Sequence, residues 1–196
     1  MPRVSVEYKD HIAHVTLTRG GKMNALDSEM VQAIIAAGQE VAASDARAVV
    51  LSGEGKSFCA GLDLMSLAKL SQVDPEEWLM TRSHHDANEM QEVAMIWRRV
   101  PVPVIAAIQG AAYGGGLQLA LGADIRIAAP DAKLSVMEMK WGIVPDMGGM
   151  VFLPKLLRSD ILRRLTYTAE VVQAPQALDW GLVTELADDP LARAQE

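Results

Sequence analysis

Apolar and polar positions alternate from Val4 to Tyr8, Lys9-Asp10 interrupts them, and a β-forming run resumes from His11 to Thr18. That pattern predicts a hairpin. Asp27 or Ser28 then stands as N-cap before Met30, Val31, Ile34, Ile35 and Val41, which share one helical face. Ala46 to Ser52 follows as a short buried strand, and Gly53 to Asp63 as a loop. A long polar helix is predicted from about Asp74, with Pro75 in its first turn, to about Arg99, where Pro101 and Pro103 stop it. Val104 to Ile108 is a continuous apolar strand, Gly114 to Leu121 a helix entered through glycines, and Ile125 to Ala128 another strand. The alternation continues to a strand over Leu182 to Leu186. Strands alternating with helices predict an α/β layered fold, with residues 1–196 as one domain and no dividing linker.

Composition narrows the function. Half of the 196 residues are hydrophobic, enough for a substantial core. The net charge of −7 and the absence of any Lys/Arg run longer than a pair exclude the electrostatic footprint of a nucleic-acid binder. No apolar stretch reaches the roughly 18 residues of a bilayer span, and Met1 to Asp10 carries charges at Arg3, Glu7 and Lys9 where a secretory signal would be apolar. A cytoplasmic location without membrane contact is expected. Cys59 is the single cysteine, which excludes an internal disulfide and a thiolate zinc cage.

Familiar catalytic signatures are missing. Gly55-Lys56-Ser57 ends like a phosphate-binding loop, but Val50 stands where that loop needs glycine. No Gly-x-Gly-x-x-Gly or Gly-x-Ser-x-Gly spacing occurs. His84 and His85 are adjacent, and on a helix they would point about 100° apart, so no metal site is expected from them. Two loops of small residues remain. Gly114-Gly115-Gly116 joins a buried strand to an apolar helix and bares backbone N–H groups, a place for developing negative charge or simply a tight turn. Ser57 to Leu64 is a second such loop. If the two met, each could give one N–H to the same oxygen. Periodicity does not say whether they meet.

Five segments in order identify a family resemblance: Lys22-Met-Asn-Ala-Leu26, Phe58-Cys-Ala-Gly-Leu-Asp-Leu64, Pro103 to Gly110 with Gly114-Gly-Gly116, Ala123-Asp-Ile125, and Gly142 to Gly149. Together, over about Val4 to Leu186, they resemble the enoyl-CoA hydratase/isomerase, or crotonase, family. The resemblance implies a spiral of ββα units and polarisation of an acyl-CoA thioester, with coenzyme A as part of the substrate and no tightly bound cofactor. It places the oxyanion N–H donors at Leu62 and Gly115. It places the CoA and substrate pocket at Lys22, Asn24, Ala25, Leu26, Ala60, Gly61, Asp63, Leu64, Tyr113 and Gln118. The segment Met65 to Arg99 is expected to line the acyl pocket.

The acid and base positions decide the chemistry. Hydratases of this family resemble one another in two glutamates that hold water. The first position is Gln118 here, and an amide cannot take a proton in the working range. The second, Glu138, is present; without the resemblance it reads as a surface helix residue. Asp146 follows eight residues later, either as the second carboxylate of the dienoyl-CoA isomerase branch or as the cap of a helix near Met147. An isomerase is favoured; a hydratase and a non-catalytic acyl-CoA binder are the alternatives. The resemblance also implies a homo-oligomer, trimer or hexamer, and a C-terminal helical section that 196 residues leave shortened or absent.

Overall fold

The structure is a computed structural model and describes residues 2–65 and 74–196. Strands β1 (Val4–Lys9) and β2 (Ile12–Leu17) form the expected antiparallel hairpin. Asp10 and His11 turn it with φ of 51° and 63°, the left-handed pair that a tight two-residue hairpin requires. Helix α1 (Ser28–Ala42) starts where the sequence placed it, with the Asp27 side chain accepting from the Met30 N–H at 2.8 Å. Strand β3 (Ala48–Gly53) then pairs parallel to β2.

The single helix expected from Asp74 to Arg99 is two helices, α2 (Pro75–Met80) and α3 (Glu89–Arg99). Between them His84 and Ala87 exchange backbone hydrogen bonds at 3.0 and 2.9 Å, and His85 is left-handed at φ 57°. Asn88 and Gln91 then restart the helix as a reciprocal capping box. Periodicity missed this break because the capping pair lies inside an otherwise polar, helix-compatible run. His84 and His85 therefore lie off any helix. Among the described residues no cluster of three metal-ligating side chains forms.

From β4 (Val104–Ile108) onward the chain winds in a repeating course. Strand β4 is followed by β5 (Ala111–Tyr113) and helix α4 (Gly115–Leu121), and β6 (Ile125–Ala128) by β7 (Lys133–Ser135). A 3-10 turn at Glu138–Trp141 and helices α5 (Gly149–Leu156) and α6 (Ser159–Thr168) lead to β8 (Val172–Gln173), α7 (Ala174–Asp179), β9 (Glu185–Leu186) and α8 (Pro190–Gln195). Strands β4, β6 and β9 join a large sheet of order β1-β2-β3-β4-β6-β9, while β5, β7 and β8 form a small one. Each turn thus leaves one strand in each sheet, which is the ββα spiral. The last strand covers only Glu185–Leu186 of the predicted Leu182 to Leu186.

One apolar core joins the layers, with Trp97, Phe58, Leu17, Met30 and Leu119 fully buried. Burying each such side chain contributes about 1.5–3 kcal/mol. Gly38 lets α1 meet α3, since a Cβ there would stand 2.3 Å from Ile96 Cγ1. Among the described residues no helix is long and apolar enough to cross a membrane.

Candidate functional site

Parallel strands end on a common edge, and the segments leaving β2, β3 and β4 build the site there. The β3 loop is stitched to the β4–β5 connection by backbone bonds: Phe58 donates to Gln109 at 2.8 Å, Cys59 to Ala111 at 3.0 Å, and Tyr113 to Cys59 at 3.1 Å. The two glycine-containing loops therefore meet. Gly61 has φ +86°, and a Cβ on it would lie 2.4 Å from the Tyr113 carbonyl oxygen and 3.3 Å from Gly115 N. Leu26 donates to Gly61 O at 2.8 Å and accepts from Asp63 N at 2.9 Å, which leaves the Leu62 N–H between them outside that ladder. Neither the Leu62 nor the Gly115 N–H has an acceptor among the described residues.

Both residues line a cavity of about 770 Å³. Lys22, Ala25, Ala60, Gly61, Asp63, Leu64, Gln118, Glu138 and Asp146 line it as well. Three expected pocket residues do not. Asn24 is fully buried, and its amide is consumed inside the loop: Nδ2 donates to Glu54 O, Ser57 O and Phe58 O at 3.0, 2.9 and 3.0 Å, and Oδ1 accepts from Arg19 N at 2.9 Å. Leu26 is also fully buried, packed behind Gly115. Tyr113 contributes its main chain to the loop junction and lies outside the lining. Polar and apolar motif residues next to a pocket can thus be its scaffold.

Several lining residues had no signal in the motifs. Arg19 leaves the end of β2, and its guanidinium bonds Ala25 O at 3.0 Å and Asp63 Oδ2 at 2.7 Å while also pairing with Asp27 at 3.3 Å. It props the Lys22 to Asp63 wall. Met137 and Trp141, likewise outside the motifs, supply apolar surface, joined by Met147 of the Gly142 to Gly149 segment. Of the expected acyl-pocket segment Met65 to Arg99, residues 66–73 lie outside the described residues; Met65, Trp78, Leu79 and Met90 line the cavity.

Glu138 opens the 3-10 turn after β7, and Gly142, left-handed at φ 72°, closes that turn through its N–H to Met139 O at 3.1 Å. The carboxylate is buried rather than on a surface helix. Gly114 makes room for it, since a Cβ there would lie 3.3 Å from Glu138 Oε1. Gln118 Nε2 donates to Oε1 at 2.6 Å, whereas Oε2 is buried with no partner among the described residues. Desolvation pushes the Glu138 carboxyl above the usual range; the Gln118 bond opposes that rise and repulsion from Asp146 adds to it. Gln118 Oε1 in turn accepts from Gly149 N at 2.8 Å.

Asp146 is accessible from the cavity, and its carboxyl is raised by the partly desolvated surroundings. It does not cap the following helix. That helix begins at Gly149 with Gly148 at its cap, so the aspartate side chain is left for the cavity. Cys59 is no nucleophile: its thiol is buried against Asn24 O at 3.1 Å and pushed up to about 12 by burial.

A family model described as Enoyl-CoA hydratase/isomerase matches residues 7–193. The mitochondrial Delta(3,5)-Delta(2,4)-dienoyl-CoA isomerase of Mus musculus is 34% identical over 187 residues, 91% of this chain and 56% of that protein. The (E)-benzylidenesuccinyl-CoA hydratase of Thauera aromatica is 33% identical over 187 residues, 94% of this chain and 70% of that protein. The crystal structure of an enoyl-CoA hydratase from Thermoplasma volcanium superposes with a TM-score of 0.87 at 33% identity, covering all of this chain and 75% of that one. The chain thus spans little more than half the length of the first of these relatives.

Proposed function

The chain belongs to the enoyl-CoA hydratase/isomerase family, and from that premise we propose that it relocates a proton on the acyl chain of an acyl-CoA thioester. The reading rests on one observation. Glu138 Oε2, a buried carboxylate oxygen, shares a cavity with the N–H groups of Leu62 and Gly115, and none of the three has a partner among the described residues. In this reading the thioester oxygen accepts from both N–H groups, which stabilise the charge that develops on it. Glu138 takes a proton from the carbon chain and becomes a carboxylic acid, while the electron pair spreads into the enolate. Protonated Asp146 returns a proton further along the conjugated chain and becomes a carboxylate. Glu138 then releases the proton it took and exposed Asp146 takes one up, both by way of the cavity and solvent, so the pair returns to its starting state. No separate cofactor enters these steps.

Isomerisation is favoured over hydration on two grounds. Asp146 supplies a second carboxylate in the cavity, and position 118 carries an amide that touches Glu138 directly, where a hydratase needs a second acid. The exposed Trp141 and Val144 support a homo-oligomer that covers this rim. The test is ultraviolet-monitored turnover of a 2-enoyl, a 3-enoyl and a 3,5-dienoyl thioester by the wild type, Glu138→Gln and Asp146→Asn. Isomerisation lost in both variants supports the reading. Hydration of the 2-enoyl thioester that ignores Asp146→Asn favours the hydratase, and binding without turnover sinks both.

A further inference from the structure

Gln118, Glu138 and the start of α5 form a directed chain of hydrogen bonds. A backbone N–H can only donate, so the oxygen of the Gln118 amide must be the atom that meets Gly149 N at 2.8 Å. The amide nitrogen must then face Glu138 Oε1 at 2.6 Å, and it too can only donate. A protonated oxygen is a weaker acceptor than a carbonyl oxygen, so the Gln118 N–H favours Oε1 as the carbonyl of the neutral acid. The proton then sits on Oε2, the oxygen with no partner among the described residues.

We infer that Gln118 is a positioning residue that assigns the transferable proton of Glu138 to Oε2, with its own orientation set by the Gly149 N–H. The inference rests on the reading of Glu138 as the proton carrier. Gln118 does not hold a water molecule between itself and Glu138, because the two side chains are in direct contact. It acts through Glu138. The amide also stabilises the charged carboxylate, so its removal raises the pH at which Glu138 becomes a base. Asp146, Asp63, Arg19 and Lys22, charged groups of the same cavity, are untouched by changes at 118 or 149.

Two variants test this on the full chain, with a 3,5-dienoyl thioester and solvent-deuterium exchange as readouts. Gln118→Met keeps the length and nearly the volume of the side chain but removes both hydrogen bonds. Loss of one charge-assisted bond predicts a kcat lower by about 10- to 100-fold, with KM within about two-fold and the acid limb of the kcat profile moved to higher pH. Gly149→Ala leaves Glu138 and Gln118 in place, but its Cβ would stand 2.7 Å from Gln118 Oε1 and turn the amide away. It should move the same limb in the same direction by less, and it carries the test alone if Gln118→Met does not fold. Wild-type pH profiles in both variants, with Glu138→Gln inactive, overturn the inference while leaving Glu138 as the proton carrier. A wild type that exchanges no more than Glu138→Gln fails at the earlier step, the assignment of Glu138 itself.

Discussion

Gly61→Ala tests whether the N–H groups of Leu62 and Gly115 work as a pair. The added Cβ meets the Tyr113 carbonyl oxygen at 2.4 Å, about 1 Å inside an ordinary contact of 3.4 Å, and lies 3.3 Å from Gly115 N. Its backbone also sits at φ +86°, a conformation that costs an alanine about 1–2 kcal/mol. Strain and contact together cost about 3 kcal/mol, which for a domain of this size lowers the melting temperature by about 6–12 °C. Relief of the contact separates the loops by a substantial part of that 1 Å, and a misplacement of about 1 Å costs roughly 100-fold in rate. Exchange of the proton next to the thioester into deuterium oxide, followed by mass spectrometry, reads the enolate directly. Gly55→Ala is the control, because φ is +82° there but the nearest contact is an ordinary 3.4 Å. It should lose stability through strain alone and exchange at the wild-type rate. Equal exchange in Gly61→Ala and Gly55→Ala, below the melting temperature of both, would refute the paired-donor geometry.

Glu138→Gln should abolish exchange yet raise the melting temperature at neutral pH, because the folded state holds this carboxyl's proton more tightly than the unfolded chain does. The gain is absent at acid pH, where both states are protonated, and grows as pH rises through the ordinary carboxylate range toward the raised folded value; melting curves at several pH values check it. Asp146→Asn removes a repulsion that raises Glu138, so the acid limb of the exchange profile should move to lower pH while isomerisation falls. An unmoved limb would separate the two carboxylates. Asn24→Ala removes the amide that ties Arg19 to the loop from Glu54 to Phe58, at about 1 kcal/mol per net bond. Its melting temperature should fall by several degrees, while calorimetric titration with coenzyme A below that temperature shows little change. The opposite pattern would make Asn24 a ligand residue after all.

What the sequence determined by itself is whatever depends on local periodicity and backbone preference. The hairpin, α1 with its Asp27 cap, the strand at Val104–Ile108 and the glycine entry to α4 were all legible. So were the motif segments that lead to Leu62, Gly115 and Glu138. The break at His84 to Ala87 was hidden because polarity alone does not distinguish a helix from a capped turn of similar composition. Only the tertiary structure decided which loops meet, since backbone bonds from Phe58, Cys59 and Tyr113 join segments some fifty residues apart. It also decided which motif residues face the cavity: Asn24 and Leu26 turn inward to build the wall, and Arg19 braces it from outside the motifs. The environment of Glu138 was beyond local reading for the same reason. Burial, an amide from α4 and a neighbouring carboxylate act on it through space, and the chain's own order records none of those distances.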